Sequence, residues 1–545
     1  MRVRVRCHIT IIAMSAGTSL DMRWSELVAA ISLATDVGMA QPLESGLGTC
    51  LVATGLAERV GLDTADRQRV YHLALLQHIG CTAATSTVAA VMGDEMLMRA
   101  HAATLDFADR RQMLAFVLRH VARANPPLAR PSALARALAG GARVNASVAD
   151  VCEAARLLVG RFGYEPGFAD DIERVLEYWD GTGFPGRAAG EAIPVAVRVV
   201  QVATLAVAAQ REAGVDGAAA LVRTRSGHSL GPAEAGVFLA DPAGLLGPLH
   251  GPALWAEVIT AEPVPSRMAT DDDVDRALRT VADFVDLKAA CLAGHSSGVA
   301  DLAAEAAERM GLSGDEVVEV RRAGWVHDLG RLSVSAGIWE HPGPLTADQW
   351  ERVRLHPYYT DRVLDRTPYL RRLSAVASAH HERPDGSGYF RRSGGAQLGL
   401  AARVLAAADA YHAMTEPRPY RDALSPQVAA KELRDGADAG RFDAAAVTAV
   451  LRAAGQAGGR RRSAAPDGLT AREVEILREV ARGLSIKQIA RRLGIAPKTA
   501  DGHIQRIYAK LGVRTRAGAT LYALQHGLLP AGEGVDVPKL GEISP

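Results

Sequence analysis

The chain has 545 residues, 48% of them hydrophobic and 23% charged, and a formal net charge of +1. At roughly 150 residues per domain this length implies three to four domains. The composition excludes wholesale disorder and collagen-like structure. With no uninterrupted apolar run of the ~18 residues a membrane span needs, no membrane partner is expected.

The near-neutral total hides a segregation. Between Arg460 and Pro530 there are 14 Lys and Arg against 5 Asp and Glu, so a basic module is expected at the C-terminus. Residues 1–22 read as a tail. The stretch Arg2–Arg6 followed by HITIIAMSAG imitates a short signal peptide, but its apolar part is brief and is broken by His8 and Thr10. Met14 and Met22 are alternative first residues. The five cysteines show no CxxC spacing, so neither a disulfide framework nor a zinc ribbon is expected, and a reducing cytoplasm fits.

Residues 23–265 and 270–452 contain an internal repeat. LVATGLAERVGL at 51–62 matches DLAAEAAERMGL at 301–312, and LLQHIG at 75–80 matches WVHDLG at 325–330, both at an offset of 250. EYWDGTGFPG from 177 matches ERPDGSGYFR from 382, and AVRVVQVAT from 196 matches AARVLAAAD from 401, at an offset of 205. The first copy therefore holds about 45 extra residues in its middle. Apolar residues recur at three- and four-residue spacing in both copies, which predicts an all-α fold with DGTGF and DGSGY as turns. Between the copies, PSRM leads into the acidic ATDDDVDRAL, where Thr and Asp can cap a new helix near 270. Residues 453–467 are rich in Gly, Ala and Arg and read as a flexible tether, so that 468–530 should move independently. Residues 531–545 form a second tail.

Seven of the 16 histidines lie between His295 and His412. His327 and Asp328 are adjacent, as are His380 and His381, while His295, His356 and Asp409 stand on other predicted helices. Imidazoles with carboxylates suit Mn, Fe or Zn, and one carboxylate can bridge two ions. Any one of these histidines alone would be read as a surface or satisfied core residue.

The pieces DLKAACLAGHSSGVADLA, HDLGRLSVSAGIWEHPGPLT, HPYYTDRVL, HHERPDGSGY and ADAYHAMTEPRPYRDALS follow one another in order. Over about 160 residues this segment resembles the HD-GYP branch of the HD phosphohydrolase superfamily. The resemblance implies one divalent ion, Fe or Mn, held by His295, His327, Asp328 and Asp409. A second is implied at Asp328, as the bridge, with His356, His380 and His381. It further implies hydrolysis of a cyclic dinucleotide, cyclic di-GMP, with Asp328 and Arg331 as catalytic residues and Arg331, Arg418 and Arg421 as phosphate contacts. Departures are Phe390 in place of the GYP proline, His412 where the family usually has Asp, Arg331 where it usually has Lys, and Cys291 where three-metal members carry Glu. In the first copy the aligned ligand positions read Ser45, Gln77, His78, Val175, Leu176 and Thr204, which leaves only His78 able to ligate. A retained fold used for packing, dimerisation or ligand sensing is expected there.

From Leu469 four short amphipathic helices are predicted. Thr470 and Glu473 form a capping box, Ser485 caps the second helix, Gly494 ends it and Pro497 opens the third. The stretch resembles the LuxR/FixJ type of DNA-binding domain, which implies that Pro497–Lys510 enters the major groove of double-stranded DNA. Lys487, Lys498, Thr499, His503, Gln505, Arg506 and Lys510 are the expected DNA contacts. The resemblance also implies dimers through the fourth helix, around Thr515–His526, with a homodimer assembled by the HD halves. The sequence thus points to a transcription regulator whose HD region binds or hydrolyses a cyclic dinucleotide. The alternatives are a phosphodiesterase that its helix-turn-helix merely locates, and inert HD domains that act as a sensor.

Overall fold

The computed structural model describes residues 20–124, 128, 130–250, 253–457 and 468–529. The signal-like segment, Met14, most of the tether and the C-terminal tail lie outside the described residues. Within them every regular element is helical, and β-pairing is limited to isolated bridges. The all-α expectation holds.

Three helices open each half in the same order. They are α1 (Trp24–Gly38), α2 (Ser45–Val60) and α3 (Thr64–Leu76) in the first. The extra length of that half lies in α4 (Arg110–Ala124) and α5 (Arg130–Arg161), after which comes α6 (Val195–Arg225), broken at Gly214, where φ is +70°. The second half opens with α7 (Asp271–Asp286), α8 (His295–Arg309) and α9 (Gly314–Val326), and continues with α10 (His356–Leu364) and α11 (Leu400–Thr415). The α7 start is capped as the sequence suggests: Asp273 N–H donates to Thr270 Oγ1, and the Asp273 carboxylate accepts from Thr270 N–H.

Backbone devices recur at the two repeat offsets. A buried carboxylate accepts from the first turn of the next helix in each half, Asp36 from Gly46 N (3.0 Å) and Asp286 from Ser296 N (3.0 Å). The buried Glu177 and Glu382 each accept a backbone N–H bond from the end of their glycine turn, from Gly186 N (3.0 Å) and Arg391 N (2.7 Å). Gly80 and Gly330 both sit where a Cβ would strike a carbonyl oxygen, at 2.1 and 1.8 Å, which excludes any side chain.

One stretch, Thr64–Met92, has the length and apolar character of a membrane span, although polar residues break its apolar run. Its most apolar window is 61% buried against neighbouring helices, and a short 3₁₀ turn at Cys81–Ala84 interrupts it. Core packing explains its apolarity.

His72 and His78 sit on this stretch, and burial, aided by Arg267 and Arg99 respectively, lowers both to about 4. Between pH 6.5 and 4 the unfolded chain takes up protons that the folded one refuses. Stability is therefore fully present above pH 6.5 and falls with acidification, by up to about 1.4 kcal/mol per pH unit for each ring. Urea unfolding between pH 7 and 5 measures this, and His72→Gln should flatten the dependence.

The C-terminal helices are α12 (Ala471–Ala481), α13 (Ile486–Leu493), α14 (Pro497–Leu511) and α15 (Arg516–Gln525). Their caps fall where the sequence puts them, at Thr470, Ser485, Gly494 and Pro497. The module has its own core of Ile476, Leu477, Ile489, Ile504, Ile507 and Ala519. Independent movement, however, is not what the structure contains. Ala517 and Leu521 of α15 join the core of the two halves, Arg161 of α5 spans Asp283 and the Leu521 carbonyl, and Arg514 N donates to Glu153 at 2.8 Å. Small residues let α15 approach α5 closely: a Cβ on Gly518 would lie 2.7 Å from Glu153 Oε2. The face expected to pair two fourth helices is thus covered within the chain.

Candidate metal centre

The seven expected ligands come from five parts of the second half and meet in one buried cluster. His295 is the first residue of α8, placed there by Gly294, whose φ of +84° is the left-handed conformation glycine adopts freely. His327 and Asp328 follow the end of α9, His356 opens α10, His380 and His381 precede the DGSGY turn, and Asp409 lies in α11. All except His381 are at most 3% exposed.

Asp328 is the centre. Its Oδ2 lies 2.9 Å from His327 Nε2 and 3.4 Å from His295 Nε2, while its Oδ1 lies 3.4 Å from His356 Nε2 and 3.5 Å from His380 Nε2. Asp409 Oδ1 stands 3.2 Å from His295 Nε2 and 3.7 Å from His327 Nε2, and its other oxygen 4.0 Å from His381 Nδ1. Each carboxylate oxygen of Asp328 therefore faces its own pair of imidazoles.

Three of the rings are fixed through Nδ1 by backbone carbonyls of the preceding turn: His327 on Gly324 (2.7 Å), His356 on Val353 (2.6 Å) and His380 on Ala377 (2.7 Å). This turns each Nε2 inward. Burial lowers His356 to about 4 and His380 to about 3, so both stay neutral, and their Nε2 atoms lie 3.0 Å apart. For Asp328 burial opposes ionisation, but Arg331 and the imidazoles hold it well below the usual carboxylate range. Asp328 Oδ1 is buried without a hydrogen-bond partner among the described residues, whereas Oδ2 faces Arg331 NH1 and His327 Nε2. Buried polar atoms are normally satisfied. His295 and His327 are instead raised, His327 to about 9, because the facing carboxylates outweigh burial. Two neutral imidazoles, two that a bound cation would have to deprotonate, and ionised carboxylates converging on one point fit divalent cations.

The expected phosphate contacts fare differently. Arg331 enters the cluster, with NH1 2.8 Å from Asp328 Oδ2 and its guanidinium over the Trp339 ring. Arg418 is bound to Glu416 and to the Cys291 carbonyl, both at 2.8 Å. Arg421 departs from the expectation: it donates to the carbonyls of Ala413, Met414, Glu416 and Asp422, and so closes the end of α11, where the last carbonyls lack helical partners. Phe390, in the missing proline's place, packs on Tyr358 and beneath Arg391.

Sequence reasoning missed Glu416, Trp339 and Tyr389, whose ring leans on His381. Only Glu416 carried a signal, since it follows Asp409 and His412 at helical spacing, although the structure ends α11 at Thr415 and places Glu416 just beyond it.

At the positions of the first half aligned with these ligands, Thr204 Oγ1 donates to Gln77 Oε1 at 2.8 Å, and Ser45 Oγ pairs with Arg211. His78 lies 3.9 Å from Cys81 Sγ. The clusters of three or more potential metal donors found among the described residues all lie in the second half.

In the C-terminal module Lys487, Lys498, Thr499, Gln505 and Arg506 are exposed, and His503 is half-buried beside Arg506. Lys510 is engaged otherwise, with Nζ on Glu473 (2.7 Å) and on the Gly468 carbonyl (3.1 Å), tying α14 to α12.

An all-helical body with a buried His–Asp cluster is joined to a four-helix basic module. Residues 279–446 match the HD domain family and residues 467–523 the family of bacterial regulatory proteins of the luxR type. The chain is 25% identical over 405 residues to a 3′3′-cGAMP-specific phosphodiesterase 3 of Vibrio cholerae, covering 73% of this chain and 88% of that one. It is 35% identical over 153 residues to the cyclic di-GMP phosphodiesterase response regulator RpfG of Xanthomonas campestris, covering 28% of this chain and 40% of the relative. A solved cyclic GMP-AMP specific phosphodiesterase of V. cholerae shares the fold, with a TM-score of 0.55 at 22% identity, over 80% of this chain and 98% of that one. The chain thus carries an HD domain and a C-terminal LuxR-type helix-turn-helix domain, and its relatives are cyclic dinucleotide phosphodiesterases.

Proposed function

We propose that the protein is a cytoplasmic DNA-binding regulator whose second half, 270–452, binds two divalent ions, Fe or Mn, and hydrolyses a cyclic dinucleotide, cyclic di-GMP. The observation that carries this reading is the division of Asp328, one oxygen toward His295 and His327 and the other toward His356 and His380. Ions held there would activate water and stabilise charge on a phosphodiester. The chain's own share is to orient four imidazoles through their Nδ1 protons or partners, to exclude bulk water, and to offer the Arg331 guanidinium to a phosphate oxygen.

The first half, 23–265, is read as a metal-free copy that keeps the scaffold and seats the DNA-binding module, 468–530. The pairing of two chains, with DNA approached by Lys498, Thr499, Gln505 and Arg506, belongs to the same reading. A ligand-sensor alternative draws support from one feature: Leu524 of α15 abuts Gly294, the residue before His295.

The deciding experiment incubates the purified chain, loaded with Mn²⁺ or Fe²⁺, with cyclic di-GMP and separately with 3′3′-cGAMP. Linear dinucleotide from cyclic di-GMP is expected. Turnover of 3′3′-cGAMP alone would reassign the substrate, and tight binding without turnover would favour the sensor. On duplex DNA, removal of residues after Arg460 should abolish binding, and affinity of the full chain should fall steeply with salt as counterions are released.

A further inference from the structure

We infer that Glu416 is the positioning residue of His295, holding its Nδ1 proton and thereby fixing and strengthening one ligand of the proposed metal pair; the inference rests on the metal-centre reading above. Three of the inward-facing rings give Nδ1 to neutral backbone carbonyls. His295 alone of the four gives it to a carboxylate, Glu416 Oε2, at 2.8 Å. Its position explains why: His295 starts α8, and after the short 3₁₀ turn Ala290–Leu292 the chain leaves helical geometry at Ala293 and the left-handed Gly294, which turns the preceding carbonyls away from the ring.

Glu416 is itself held in place. Arg418 NH2 donates to the same Oε2 at 2.8 Å, and Arg418 NH1 anchors on the Cys291 carbonyl, in the segment leading to His295. His412 lies on the other oxygen, with Nδ1 3.3 Å from Oε1, and its ring meets that of His295 edge-on. The ring fits because residue 298 is glycine: a Cβ there would stand 2.0 Å from His412 Nε2. His412 and Glu416 thus form one packed unit behind His295.

The first half supplies an internal control. By the repeat offsets, His295 and Glu416 correspond to Ser45 and Arg211, and these two are hydrogen-bonded to one another. Where the imidazole is absent the carboxylate has become a guanidinium, which has nothing to accept with. A carboxylate on the distal nitrogen keeps an imidazole in one tautomer and raises the donor strength of the other nitrogen.

The test is titration of the metal-free full chain with Mn²⁺, followed by calorimetry, for wild type, Glu416→Gln and Glu416→Asp. Wild type is expected to bind two ions. Glu416→Gln should weaken one of the two sites by about 10- to 100-fold and leave the other unchanged, which a general loss of structure would not do. Glu416→Asp keeps the charge but is one methylene short, so it should fall between the two; it also serves if the glutamine variant does not fold. Folded variants that bind both ions with wild-type affinity would overturn the assignment of Glu416. Wild type that binds no Mn²⁺ would instead overturn the metal-centre reading on which it stands.

Discussion

Asp328→Ala is expected to yield a folded chain with less than one divalent ion and with cyclic di-GMP turnover slowed at least about a thousandfold, or ~4 kcal/mol of transition-state stabilisation. Asp328 is the one residue that faces both imidazole pairs, so its loss removes a donor from each proposed ion at once. It also removes the partner of Arg331, 2.8 Å away and only 6% exposed. A buried cation left without its partner is costly, so the melting temperature of the metal-free variant should drop as well. Asp328→Asn keeps the shape and separates the effects, with ions and turnover lost as before. Metal analysis, chromatography of the nucleotide products and thermal unfolding measure the three consequences. Full metal content in the alanine variant would remove Asp328 from its central place.

The second large effect is expected from Leu521→Asp. Leu521 is fully buried in the core shared with the two halves, whereas Ala519 and Ala523, on the other face of α15, belong to the core of the C-terminal module. A carboxylate at 521 faces desolvation without a partner, a cost of several kcal/mol. This exceeds what the exposed Arg514–Glu173 pair can return. The module should therefore leave α5 while remaining folded, and the radius of gyration from small-angle scattering should rise. Lys498, Thr499, Gln505 and Arg506 lie on α14 and are untouched, so binding to duplex DNA should survive. Because Leu524 abuts Gly294 and a Cβ on Gly483 would lie 2.7 Å from Ala290, undocking should also shift Mn²⁺ affinity at His295. Any such coupling is reciprocal, so metal loading should change DNA affinity by the same factor. An unchanged scattering profile would count against the docked arrangement.

Much of the local structure was legible because its determinants are local. Thr470 with Glu473, Ser485 and Gly494 settle helix ends within four residues of themselves, and the structure places the caps there. The candidate ligands were legible only through the resemblance to the HD-GYP branch, since any one of these histidines alone reads as a surface or satisfied core residue; the adjacent pairs His327–Asp328 and His380–His381 are part of the pattern that carries it. The tasks of Arg421, Arg418 and Lys510 were not legible. Each is a long cation whose partner is chosen by whatever carbonyl or carboxylate the fold brings near, and composition cannot tell a helix brace from a phosphate contact. The docking of α15 was hidden likewise, since its small apolar residues read equally well as the face of a dimer.

By itself the chain of residues determined an all-helical protein, the positions of its caps and turns, the repeat between its halves, and the presence of an HD and a LuxR-type segment. Those properties depend on neighbours three to four residues apart or on patterns that a single strand of text preserves. Only the tertiary structure decided that the two oxygens of Asp328 face different imidazole pairs, that Glu416 stands behind His295, and that the C-terminal module rests on α5. Each of these depends on side chains dozens to hundreds of residues apart arriving within about 3 Å, the range over which hydrogen bonds and ion pairs act, and that proximity is set by packing of the whole core.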